Sequence, residues 1–227
     1  MSRRVALSVF AAMTVFFVCF FVGPIWSTLK VAFADSDGGF TLDHIWDVFR
    51  NPIYRQGLWN SFLIGVFTTA GCVVLGLPLA LVYTRYEFPG KSLLNSMVLL
   101  PMIIPPFVGA IGVRAMMGQA GAVNSLLVKL GLMDANHPID WLGSSQMCGI
   151  IILNVLTRFP ILYLNATAAL ANLDPALEEA AANLGCKPAA RFRKITLPLI
   201  MPGIFAGGTI IFIWAFTDLG VPLVFDF

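Results

Sequence analysis

The chain has 227 residues, of which 58% are hydrophobic and only 11% charged, with a net charge of +2 and a mean hydropathy of +0.85. A soluble domain carries roughly a quarter charged residues, so this composition belongs to the membrane class, and nucleic acid is not an expected partner. The cysteines, Cys19, Cys72, Cys148 and Cys186, are scattered without CxxC spacing; the pattern excludes a disulfide framework or a metal cluster and reads as small buried hydrophobes.

A helix needs about 20 residues to cross the hydrocarbon core. Charge-free runs occur at Val5–Leu29, Gln56–Thr84, Ser92–Val113, Trp141–Thr157 and Ile195–Thr217. The fold class expected is therefore all-α, a polytopic transmembrane helical bundle with five spans. The first run follows Arg3 and Arg4 but is far longer than the 7–15-residue core of a signal peptide, so it reads as a retained span. The fourth is short, and extends past Arg158 if that arginine lies near a helix end and snorkels. With the N-terminus inside, inner segments hold Arg3, Arg4, Arg85, Lys91, Arg158, Lys187, Arg191, Arg193 and Lys194, against Lys30, Arg50, Arg55, Arg114 and Lys129 outside. Positive charge gathers on the cytoplasmic side, which makes the N-terminus cytoplasmic.

The first outer segment, Lys30–Arg55, carries the turn signal "DSDGG", then Leu42, Ile45, Trp46 and Phe49 at helical spacing behind Thr41, a plausible N-cap. It predicts a short amphipathic helix on the outer surface. The second outer segment, Arg114–Asp140, mixes glycine with a weakly amphipathic run, as a short helix or re-entrant hairpin does. Prolines mark most spans, and "PMIIPP" at Pro101–Pro106 is hard to build as a straight helix.

No catalytic constellation is present. His44 and His137 lie in different outer segments, and "FPGKS" at Phe88–Ser92 has Arg85 where a phosphate loop needs its first glycine. Read from these runs, no span carries an ionisable residue at its centre, with Arg114, Arg158 and Asp218 at ends, which argues against a proton-coupled carrier.

The most charged block is "NLDPALEEAAANLGCKPAARFRKITLPLIMPG", Asn172–Gly203. Asp174 is a good N-cap, Pro175 suits the first helical position, and Gly185 suits a left-handed C-terminal cap. Pro188 opens a second short basic helix that runs into the fifth span. Glu179-Ala180-Ala181, Gly185, Ile195 and Leu197-Pro198 match the EAA–G–I–LP signature at every position. The chain thus resembles the inner-membrane permease subunits of binding-protein-dependent ABC importers, and "NSFLIGVFTTAGCVVLGLPLALVYTRYEFPGK" and "LLPMIIPPFVGAIG" share the likeness.

The resemblance implies a non-enzymatic, multi-pass protein of the bacterial inner membrane. It implies short cytoplasmic coupling helices between spans 4 and 5, with Glu179, Ala180, Ala181, Gly185, Ile195, Leu197 and Pro198 as the ATPase-coupling residues. The implied partners are a cytoplasmic ATP-binding subunit dimer, a periplasmic or extracellular solute-binding protein, and a second permease unit, identical or fused. The chain itself needs no cofactor, since ATP is bound by the partner subunit. The family usually has a sixth core span, so residues 1–227 read as a single permease domain truncated before it. The long first outer loop and the "FTDLGVPLVFDF" ending look most like the ferric-iron subgroup, while polyamine, thiamine and phosphonate permeases share much of the pattern. An ion-coupled secondary carrier is the rival class.

Overall fold

The structure, a computed structural model, describes residues 3–34, 39–134, 136–139, 141 and 146–225. It divides into two compact units, residues 1–59 and 60–227. In the first, α1 (Arg3–Phe17) continues through a π turn, Val18–Val22, into α2 (Gly23–Ala32). The Gly23 N–H bonds the Val18 carbonyl, one residue ahead of Pro24. Proline has no N–H and crowds the carbonyl four residues back, and widening the helix by one residue relieves both problems. The amphipathic outer helix is present as α3 (Asp43–Arg50), and the Thr41 hydroxyl accepts from the Asp43 N–H at 3.0 Å. Of the expected "DSDGG" turn, Asp35–Gly38 lie outside the described residues.

The second unit is organised around one helix. α4 (Pro52–Arg85), which begins in the first unit, buries Ile64, Gly65, Thr68, Cys72, Gly76 and Ala80, a stripe of mostly small residues at four-residue spacing. α8 (Gln146–Ala171) lies against it, so close that a Cβ on Gly76 would stand 3.1 Å from the Phe159 carbonyl oxygen and 3.2 Å from the Tyr163 nitrogen. Helices in lipid associate through such close backbone approach, because burial of apolar surface drives nothing there. α11 (Leu197–Phe216) packs on α8 in the same way, through Gly203 and Gly207 against Asn165 and Ala169. α8 contributes to all three hydrophobic clusters: Val155, Ile161 and Leu162 to one, Ile150 and Leu153 to the second, Tyr163 and Ala166 to the third. It is the spine of the unit.

The proline-rich third run is broken, as its sequence demands. α5 (Lys91–Leu99) passes into a 3-10 turn, Leu100–Ile103, and α6 (Pro106–Met117) resumes across Pro105. The two arms, Lys91–Ile103 and Pro106–Lys129, bend by 95°. Among the described residues, four helical stretches are long and apolar enough to cross a membrane by themselves, and five if the bent pair counts as one. The outer segment after α6 folds as α7 (Ala122–Lys129), tied down by the buried Asn124. Its amide donates to the Gln119 and Ile139 carbonyls at 2.9 and 2.7 Å and accepts from the Trp141 indole at 2.7 Å.

Two sequence expectations are corrected. Arg158 does not snorkel from a helix end: it stands at the midpoint of the 26-residue α8, is 5% exposed, and pairs with Asp218 at 2.7 Å. A charge-free run ends at its first charge, but the helix does not, because the opposite charge comes from another element. With Arg158 removed from the inner set, the cytoplasmic bias in Lys and Arg still holds. Of the cysteines, only Cys72 is buried; Cys19 and Cys148 are exposed and Cys186 is half-buried.

Candidate functional site

The signature block forms a compact device at the end of the bundle where α4 finishes. Asp174 holds an extended backbone and its carboxylate accepts from the Ala176 N–H at 3.0 Å, starting α9 (Pro175–Asn183). The helix stops in a Schellman motif. The Gly185 N–H bonds the Ala182 carbonyl at 2.9 Å and the Cys186 N–H bonds the Ala181 carbonyl at 3.0 Å, with Gly185 at φ +77°. Only a residue without a Cβ takes that left-handed turn without strain. Pro188 opens α10 (Pro188–Arg191), and a π turn, Phe192–Thr196, links it to α11 as one continuous helix. The Leu197 N–H bonds the Phe192 carbonyl, again one residue ahead of a proline, Pro198.

One side of α9 seats it. Ala181 is buried, and the Glu178 carboxylate takes hydrogen bonds from the Arg85 guanidinium at the end of α4 and from the Thr196 hydroxyl in the π turn. Arg85 also reaches the fully buried Thr196, at 3.3 Å. This three-residue network ties the end of α4, α9 and the base of α11 together. The opposite side of α9 is open: Glu179, Ala180 and Gly185 are exposed, and Leu184, 89% exposed, stands beside the glycine.

The structure therefore separates the residues that the signature groups. Glu179, Ala180 and Gly185 share an exposed edge, whereas Ala181 faces inward and Ile195 and Leu197 are half-buried, Leu197 against the core with Ile200. Pro198 is exposed and sets the π turn. Sequence reasoning missed the network of Arg85, Glu178 and Thr196. Glu178 has the same type as its neighbour Glu179, and only the helical phase set by the caps distinguishes them. It missed Leu184 too, although a bulky apolar residue next to a C-terminal glycine in a charged block is a signal to look for. Among the described residues no group of His, Cys, Asp or Glu is arranged to hold a metal ion.

An all-α bundle with four or five candidate spans among the described residues, and a capped, charged double turn at one end, defines a polytopic helical membrane protein. A profile of the family described as "Binding-protein-dependent transport system inner membrane component" matches residues 72–225. The chain belongs to that family: it is an inner-membrane permease of type I ABC importers. It is 30% identical, over 90% of its length and 71% of the relative's, to the spermidine/putrescine transport system permease PotB of Haemophilus influenzae. It is 27% identical, over 89% of its length and 70% of the relative's, to PhnU of Salmonella typhimurium, a putative 2-aminoethylphosphonate transport system permease. Among solved structures, a bacterial ABC transporter involved in alginate import shares the fold. The TM-score is 0.71 at 21% identity, over 98% of this chain and 80% of that one.

Proposed function

We propose that residues 1–227 belong to one permease unit that forms half of a translocation path and couples to a cytoplasmic ATPase dimer through the exposed edge of α9. The observation that carries this reading is the division of labour within the block. Glu178, Ala181 and Thr196 fix α9 to the bundle, which leaves Glu179, Ala180, Leu184 and Gly185 free to meet a partner. Small Ala180 permits close approach, Glu179 offers charge, and the apolar Leu184 offers area that water disfavours. Ala181, Ile195, Leu197 and Pro198 serve the coupling by seating the helix. Arg191, Arg193 and Lys194 hold the inner face at the lipid headgroups. The remaining partners are a solute-binding protein on the outer side and a second permease unit.

For the solute, the likeness of "FTDLGVPLVFDF", Phe216–Phe227, and of the long first outer segment to the ferric-iron subgroup favours ferric iron. A polyamine is the second reading, because the 30%-identical relative is named for spermidine and putrescine.

Two experiments test these readings. The complete reading frame is co-purified in detergent with its neighbouring ATPase subunit, as wild type, Glu179→Arg and Gly185→Val. Wild type retains the ATPase and both variants lose it while still inserting; equal retention by all three puts the coupling surface elsewhere. Uptake of radiolabelled ferric iron and of radiolabelled putrescine by cells with and without the intact gene then decides the solute.

A further inference from the structure

The pair formed by Arg158 and Asp218 has no part in the coupling block, yet it is the most deeply placed charge in the described bundle. Its side chains are 6% and 12% exposed. Asp218 sits in the short break between α11 and α12 (Gly220–Val224), and its two carboxylate oxygens do different work. Oδ2 accepts from the Arg158 Nη2 at 2.7 Å, while Oδ1 accepts from the Gly220 and Val221 N–H groups at 3.0 and 3.3 Å and so starts α12. The Arg158 Nη1 donates to the Asn154 side chain one turn back on α8. At the other end of α12, the Arg114 guanidinium of α6 donates to the Val224 carbonyl. Val221 and Phe225, fully or nearly buried, pack with Ala110 of α6 and with Ile150 and Leu153 of α8. The orientation of α12 is thus set by charge at one end and a cationic hydrogen bond at the other.

The second observation concerns the rod that leads to Asp218. The helix Pro188–Phe216 is unbroken over 29 residues, about 43 Å at 1.5 Å per residue. Its base is tied to α9 through Thr196 and Glu178, and its far end carries Asp218 into contact with the middle of α8. One continuous helix thus connects the seat of α9 to the ion pair.

The Arg158 Nε and the Asn154 Nδ2 are buried and meet no protein acceptor in this arrangement. A pair kept for packing alone has an apolar replacement that holds as well or better.

We propose that Arg158 and Asp218 are positioning residues for transport: an intramembrane latch that holds α12 in its resting orientation and opens when the α11 rod moves. This rests on the coupling reading of α9. A latch present in one state and absent in the other biases the equilibrium between them, so weakening it releases the cycle from its trigger.

The test uses the complete transporter, permease with ATPase, reconstituted in lipid nanodiscs without solute or binding protein. Basal ATP hydrolysis per assembled complex is measured for wild type, Asp218→Asn and the double variant Arg158→Met/Asp218→Leu. Asparagine keeps the capping geometry and removes the charge; the double variant replaces the pair by apolar side chains of similar size. Either variant that assembles raises basal hydrolysis at least threefold. A purely structural pair changes thermal stability without raising turnover, so unchanged or reduced hydrolysis in the assembled variants overturns the latch. If wild type recruits no ATPase, the coupling reading falls and takes the latch with it. If wild type recruits ATPase and the variants are not released, only the latch falls.

Discussion

Glu178 and Glu179 are neighbours of one chemical type with opposite surroundings. Glu178 is held by Arg85 and Thr196, and Glu179 faces outward. Removing Glu178 leaves the fully buried Thr196 hydroxyl and part of the Arg85 guanidinium without their acceptor, which costs about 1 kcal/mol once solvation of the half-exposed arginine is allowed for. Glu178→Ala therefore lowers the thermal midpoint of the purified chain, while Glu179→Ala leaves it unchanged; a shift in the second and not the first refutes the assignment. The caps around these residues were legible in the sequence, because Asp174-Pro175 and Gly185 act on their own backbone and need no distant partner. Glu178, by contrast, meets residues far away in the chain, and a nine-residue helix is too short for periodicity to settle its phase. Arg158 escaped for the same reason: its partner lies 60 residues downstream.

At the scale of elements, small residues let α4, α8 and α11 approach at backbone distance. A Cβ at Gly203 would stand 2.7 Å from the Ala169 Cβ and 3.1 Å from the Asn165 carbonyl oxygen, so a large side chain there must push α11 off α8. Overpacking of this kind costs about 1–3 kcal/mol. Gly203→Leu is expected to lower the thermal midpoint in detergent by several degrees, whereas Gly57→Leu, with nothing within 4 Å of its Cβ, holds or raises it. Equal midpoints for the two variants contradict the packing account. The spans were readable from composition, since length and absence of charge are properties of a segment alone. The 95° bend between α5 and α6 was foreshadowed by "PMIIPP". The two π turns were not foreseen, although each ends two residues before a proline, Pro24 and Pro198. The reason is local and general: the ring displaces a hydrogen bond, and a helix that must continue absorbs the fault by widening.

For the whole molecule, the sidedness follows from charge. Lys187, Arg191, Arg193 and Lys194 cluster beside α9, and the resulting orientation places Cys186 inside and Cys148, near the start of α8, outside. A membrane-impermeant maleimide added to spheroplasts should modify Cys148 and spare Cys186, with the pattern reversed on inside-out vesicles. Modification of Cys186 in spheroplasts overturns the orientation. The long helix from Pro188 to Phe216 runs from the seat of α9 to the Arg158–Asp218 pair, so the two ends of the proposed coupling share one element.

Everything proposed for coupling depends on the ATPase docking at the exposed edge of α9. A photo-reactive phenylalanine analogue placed singly at Ala180, at Leu184 and at Ile45 of α3, followed by irradiation of cells expressing permease and ATPase together, tests it in place. Docking at this edge gives a permease–ATPase adduct from positions 180 and 184 and none from 45. Absence of an adduct at both 180 and 184, in cells where the two subunits co-purify, would contradict it.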